Sequence, residues 1–405
     1  MSTNASSYAT TKTTAATAVR KKWEAGVLAT ASGQALASKF AKGRVVGRGE
    51  GGTLYMNRIL RPAKVTTALT EGYLYGYADA KALTTNYISV TPSKWGDHFG
   101  FTSEADWDTL LQNNDLKDVI GQQMALSTDY QVIKTMSQGC LRHRIDKSAT
   151  YQVSGTVTTA NTAGTSLIST TLTQADDAWN GGYVTITSPD GGCYDETSAV
   201  TDFATSGDTA TVAFSNGLTT ASDFRITVGT GLAATNILTV SSLLDVSALH
   251  RKFETEKFDG GLYRGFLDAA QERDLWSDST FLGSATYDSN QKFKNYKLMR
   301  WFDMEFYICS HLFREDVDGT ENASTGVVYV TPIFGDNSYT VVKWDSGQGD
   351  MATKFTYVDK PDSGNLGGDM RWISWRGRFG SKVTRATSII GLMTGATSLN
   401  VVSWI

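Results

Sequence analysis

Three cysteines and five prolines are all that 405 residues contain of either type. Cys140, Cys193 and Cys309 are odd in number and far apart, which argues against a disulfide framework and for a reducing compartment. Few prolines beside abundant Thr, Gly, Ala and Ser point to a β-rich, tightly turned chain. Charged residues make up 19% and the net charge is −4, a balance that supports neither disorder nor sequence-specific nucleic-acid binding. No run of about eighteen apolar residues occurs, so no segment reads as a membrane-spanning helix. Arg20, Lys21 and Lys22 followed by Ala35 and Ala37 imitate a secretory leader. The charges lie too far in, however, and Glu24, Gly26 and Gly33 interrupt the apolar part.

Catalytic constellations are equally scarce. His98, His143, His250 and His311 are scattered, with no paired-ligand spacing and no Cys pair beside them. Gly47, Gly49 and Gly52 match the dinucleotide fingerprint in form. That chemistry needs a helix opening after the glycines, and Thr53 to Asn57 reads as a strand. Nucleophile elbows and P-loops are missing. No enzyme activity, metal or cofactor is expected.

One absence is local. Between Lys147 and Arg225 there is neither Lys nor Arg, while Asp176, Asp177, Asp190, Asp195, Glu196, Asp202, Asp208 and Asp223 all fall inside. Their spacing fits no EF-hand loop, so calcium is not expected. Short alternating runs (Tyr183–Thr187, Thr209–Phe214, Phe224–Val228) are separated by turn signals such as Asn180-Gly181-Gly182 and Asn216-Gly217. This composition predicts a small all-β module over 150–230, inserted into a different chain.

Around it the chain is ordered as follows. Residues 1–42 form a polar arm with a modest helix from Val19 to Phe40 and basic residues Arg20, Lys21, Lys22, Lys39 and Lys42. Residues 43–100 read as a long hairpin. Leu54, Met56 and Arg58 alternate with Tyr55, Asn57 and Ile59, and a second run from Ala82 to Pro92 carries Leu83, Tyr87 and Ile88. Arms of roughly 15 residues cannot stand alone in water and need a surface outside the hairpin to lie on. Residues 101–149 hold the strongest helix, with Leu116, Val119, Leu126, Tyr130 and Ile133 at three-and-four spacing. Ile120, Met124 and Met136 widen the stripe, and Gly139 ends it. Residues 231–366 predict helices at Ser242–Lys257 and Asp268–Trp276 and strands at Phe302–Ser310 and Val327–Phe334. Residues 367–405 alternate Trp372, Ser374, Arg376 and Arg378 with Ile373, Trp375 and Phe379, then run on from Val383 to Ser388.

Basic arm, long hairpin, long helix, α/β region and closing strand, in that order, resemble the major capsid proteins of tailed bacteriophages with the Hong Kong 97-type fold. The residues from Pro62 to Gly72, the stretch Trp95-Gly96-Asp97 and the run from Gly367 to Gly380 most resemble the coat-protein family of podovirus N-four and its relatives. The resemblance implies an α+β fold. Its parts would be an N-terminal arm (1–42), an E-loop (43–100), a peripheral (P) domain with its spine helix (101–149), axial-domain and P-domain elements (231–366) and a last P-domain strand and tail (367–405). Residues 177–226 of the insertion are similar to a β-module that recurs in phage structural proteins.

The resemblance also implies a shell of hexamers and pentamers around packaged double-stranded DNA held without sequence readout. It implies a place in the virion, assembly in the host cytoplasm, no membrane, and room for portal, scaffold or decoration proteins. Leu54, Tyr55, Arg58, Leu60, Leu69, Tyr73, Tyr75, Tyr77, Leu83 and Tyr87 would form the inter-subunit surface of the E-loop. The alternative reading is a tail or surface fibre protein whose β-module binds host glycan.

Overall fold

The computed structural model describes residues 36–46, 52–59, 85–102, 113–188, 193–280, 299–316, 318–322, 326–344, 354–358 and 370–396. The fold is α+β, and it divides into two compact units. Residues 1–54, 90–132 and 341–381 make the first, and residues 55–89, 133–340 and 382–405 the second.

In the first unit a five-stranded sheet is organised by one long strand, Met370–Val383. Ser93–Thr102 pairs with it antiparallel from Thr102↔Met370 to Ser93↔Phe379, and Lys354–Val358 pairs with its other side. The alternation expected here holds: Trp375 and Phe379 are buried and Arg376 is exposed. Helix α1 (Ala37–Phe40) is what is described of the helix expected from Val19, whose earlier residues lie outside the described ones.

Helix α2 runs Asn113–Gly139, as the sequence predicts, with residues up to Val132 in the first unit and the rest in the second. Its buried face matches the expected stripe in part. Ile120, Met124, Ala125, Val132, Ile133 and Met136 are inside, whereas Val119 and Leu126 are about half exposed. Two interleaved apolar stripes compete at helical period, and the one four apart (120, 124, 128, 132, 136) faces inward. In the first unit α2 is tied to the sheet by polar bonds. Trp375 Nε1 donates to Gln123 Oε1 at 3.0 Å, and Gln123 Nε2 donates to Asp97 Oδ2 at 2.6 Å. Asp129 of α2 accepts from the Leu36 backbone N–H at the start of α1.

The second unit holds a seven-stranded mixed sheet in the order Met299–Trp301, Met304–Ile308, Tyr263–Leu267, Val328–Phe334, Ile389–Thr394, Leu141–Arg144. Arg314–Glu315 pairs to the side of Val328–Phe334. Helices α3 (Val240–Lys252) and α4 (Ala269–Ser277) pack Val240, Leu243, Val246 and Leu275 onto a core with Phe306, Ile333 and Leu392. Each helix opens with a capping box, Thr239 with Ser242 and Asp268 with Gln271, which satisfies its first free N–H groups. Helix α3 ends at Lys252 rather than Lys257, because Glu254 turns into left-handed backbone (φ 50°) before Gly260 is reached. The strand expected at Val383–Ser388 is instead a 3-10 turn, Ala386–Ser388, that leads into Ile389–Thr394.

Residues 152–227 build two antiparallel sheets. One is Gln152–Thr156, Asp223–Thr227, Tyr183–Ile186, Thr197–Ala199 in order, the other Asp202–Ala204, Thr209–Thr211, Ser166–Ile168. Trp179, Phe203, Phe224, Ile186 and Leu167 fill the core between them. The strand Leu141–Arg144 fastens this region to the large sheet. The Thr185 and Thr197 hydroxyls donate to the Cys140 carbonyl, and the Thr227 hydroxyl donates to that of Arg142. Arg144 donates to the Val228 and Thr230 carbonyls at 2.5 and 2.7 Å. Gly181 (φ 73°) and Gly319 (φ 80°) cross so closely that a Cβ on Gly181 would lie 1.7 Å from the Asp318 carbonyl oxygen, a place only glycine fits.

Candidate functional site: the tyrosine ribbon and its clamp

Leu54–Ile59 and Thr85–Val90 pair as an isolated two-stranded ribbon. The period-2 reading of the sequence is visible in it. Met56, Ile88 and Val90 are buried, while Tyr55 and Tyr87 are 65% and 59% exposed. The two tyrosine rings meet edge to face with centroids 5.7 Å apart. An aromatic pair held in one geometry on an open β face offers a large contact area at small entropic cost to whatever covers it.

Of the other expected contact residues, Leu54 is half-buried and Arg58 points inward. Leu60, Leu69, Tyr73, Tyr75, Tyr77 and Leu83 lie outside the described residues, as do Arg20, Lys21 and Lys22 of the arm. Lys39 and Lys42 are described: Lys39 is exposed and Lys42 lies on an exposed stretch of the strand Lys42–Val46. The described base of the ribbon thus finds part of the surface its length calls for within its own chain. The described base has one face seated and the other open.

Arg58 forms an ion pair with Asp195 at 2.8 Å, both side chains almost fully buried, and its guanidinium lies over the Tyr194 ring at 5.6 Å. Asp195 also accepts from Arg385 Nε at 3.4 Å, from the Thr387 backbone N–H at 3.3 Å and from the Thr387 hydroxyl. Its own carbonyl accepts from the Ala386 N–H at 3.1 Å. Beside this cluster is a cleft of about 590 Å³, lined among others by Arg58, Tyr87, Ile88, Gln138, Asp195 and Glu196. Sequence reading missed Asp195, Arg385 and Thr387. The signal available was the stretch without Lys or Arg, because a buried acid there has to find its cations elsewhere.

Other buried charge serves packing. Arg142 and Glu315 pair at 2.5 Å, and the guanidinium lies 3.6 Å from the Tyr183 ring centroid. Burial pushes the Glu315 carboxyl up and Arg142 opposes that push. His143 and His250 are neutral. Burial, with Arg225 Nη2 3.1 Å from Nδ1, lowers His143 to about 4, and burial lowers His250 to about 3. Among the described residues no cluster of His, Cys, Asp or Glu is placed to hold a metal ion.

The two histidines set a pH response. Their folded pKa values lie below the ordinary 6.5, so the unfolded chain binds more protons once the pH falls under that value. Their contribution is complete above pH 6.5 and is lost as pH drops through 4 and then 3. Asp129 has the opposite sign. Burial raises it to about 6 against its N–H donors, so its contribution grows as pH falls through that value. The second unit, which holds both histidines, should therefore show a melting midpoint that falls from about pH 7 to about pH 4.5. The fall is smaller than the two alone would give, because Glu315, raised in the same unit, acts with the sign of Asp129. Exchange-resolved thermal denaturation reads this, and a flat midpoint for residues 141–144 and 240–252 contradicts it.

No protein-family model matches the chain, and no curated protein does. Solved structures similar to it include the capsid of cyanophage P-SCSP1u, at 10% identity over 88% of this chain and 87% of that one, TM-score 0.48. The capsid of Ralstonia phage GP4 matches at 11% identity over 89% and 87%, TM-score 0.48. The head structure of Helicobacter pylori bacteriophage KHP40 matches at 10% identity over 87% of each chain, TM-score 0.47.

Proposed function

We propose that this chain is a major capsid protein of a tailed phage, self-assembling into the icosahedral shell around double-stranded DNA. The observation that carries the reading is the ribbon, whose base is seated on one face while Tyr55 and Tyr87 stand open on the other. Such a strand pair is completed by a neighbour that supplies the missing layer. A subunit using one ribbon and receiving another can close hexamers and pentamers, where many modest contacts act together.

The remaining parts are assigned on the order of elements along the sequence. The ribbon is the base of the E-loop, α2 the spine helix and Met370–Val383 the long P-domain strand. Residues 150–230 are an inserted β-module, and the exposed Lys39 and Lys42 belong to an arm that meets packaged DNA without reading its sequence. The motifs at Pro62–Gly72 and Gly367–Gly380 favour kinship with the coat proteins of podovirus N-four and its relatives. Electron microscopy of the purified chain in negative stain tests the reading. Closed shells or rings of five and six subunits are expected, and elongated trimers or a compact monomer overturn it.

A further inference from the structure

The region from Ser148 to Phe224 contains no cation of its own, yet it buries Asp195 to 4% exposure. A carboxylate taken out of water needs charge-assisted partners. Both cations that approach it come from elsewhere in the sequence: Arg58 from the ribbon and Arg385 from the turn before Ile389–Thr394. Asp195 also holds left-handed backbone (φ 62°), where Asp and Asn are the side chains best tolerated after glycine. The three segments thus meet at a single carboxylate. The large cleft next to it means that this side of the ribbon base is not held by continuous packing.

We propose that Asp195 is a positioning residue for assembly: the Arg58–Asp195 pair sets the direction in which the ribbon leaves the subunit, so that the β region of residues 152–227 acts as a strut for the ribbon. The tyrosine face then arrives at a neighbour in one pose instead of many, which lowers the ordering cost of each contact. This rests on the ribbon being the assembly element. The clamp itself can be tested in a subunit that never assembles.

Arg58→Met removes the ribbon's half of the pair and leaves the bonds to Thr387 and Arg385 in place. Asp195→Asn keeps side-chain shape, backbone preference and an acceptor for Thr387, and replaces the charged oxygen that faces Arg58 and Arg385 by an amide donor that neither can bond. In both variants amide hydrogen exchange of 54–59 and 85–90 in the unassembled subunit should speed up by about tenfold or more, with 152–156, 183–186 and 223–227 unchanged. The yield of closed shells should fall alongside. Unchanged ribbon exchange overturns the proposal. So does loss of protection across every strand at once in both variants, which would assign the pair to overall stability. Faster ribbon exchange in a protein whose wild type forms no shells would leave the clamp standing and sink the capsid reading instead.

Discussion

Glu315→Ala is expected to cost the unassembled subunit about 3–5 kcal/mol, the largest effect of any single substitution considered. Both members of the Arg142–Glu315 pair are essentially without solvent, with side-chain exposures of 1% and 0%. Taking two charges out of water is costly, and the pair is tolerable only because each neutralises the other at contact distance. An arginine cannot relieve the loss by giving up its proton. Without Glu315 the guanidinium keeps one bond to the Ser137 carbonyl at 3.3 Å and the face of Tyr183, neither of which carries a full negative charge. At about 2–4 °C per kcal/mol for a unit of this size, the melting midpoint should drop by roughly 10 °C.

The comparison that isolates the cause is the double variant Arg142→Met with Glu315→Leu. Removing both charges together lifts the desolvation penalty, so most of the loss should return, even though more hydrogen bonds are gone. A single variant that loses under about 1 kcal/mol would mean that water reaches the pair and would refute the assignment. The strand Leu141–Arg144 that carries Arg142 also carries Arg144, so the junction with residues 152–227 is set by buried charge as well as by apolar contact.

That same strand shows where sequence reading stops. Leu-Arg-His-Arg has one apolar residue in four, and nothing in its pattern announces a fully buried strand. Its burial depends on Glu315, Asp146 and the Val228 carbonyl, partners that folding brings together from distant parts of the chain. Ser93–Thr102 was missed for a related reason. Glycines and charges blur its alternation, and its ten-residue partner lies near the other end of the chain. Tyr183–Ile186, Asp223–Thr227, Val328–Phe334 and α4 were legible within a residue or two, because local periodicity and caps suffice for them. Helix α2 was legible as a helix and in Ile120, Met124, Ile133 and Met136 of its buried face, while Val119 and Leu126 lie half exposed. In the candidate site the open tyrosines could be read from alternation alone. Arg58 could not, since alternation put it opposite Tyr55 without revealing the acid waiting there.

Replacing both Tyr55 and Tyr87 by Ser should abolish shell formation while leaving the melting midpoint of the free subunit nearly unchanged. The rings are mostly in solvent, so removing them sacrifices little folded-state packing, and their mutual edge-to-face contact is worth about 0.5–1.5 kcal/mol. On a neighbour's surface the balance reverses. A tyrosine buried at the centre of a contact commonly contributes about 2 kcal/mol or more, roughly a thirtyfold change in a single association constant. In the proposed shell every subunit would make that contact, so the loss would recur at each ribbon and compound through avidity. Tyr55→Phe with Tyr87→Phe keeps the rings and their area and should assemble close to wild type, which separates aromatic contact from the hydroxyl's hydrogen bonding. Light scattering during assembly, followed by sedimentation, reads both variants beside the wild type. If the serine pair closes shells at the wild-type rate and concentration, the open face of the ribbon is not where subunits meet.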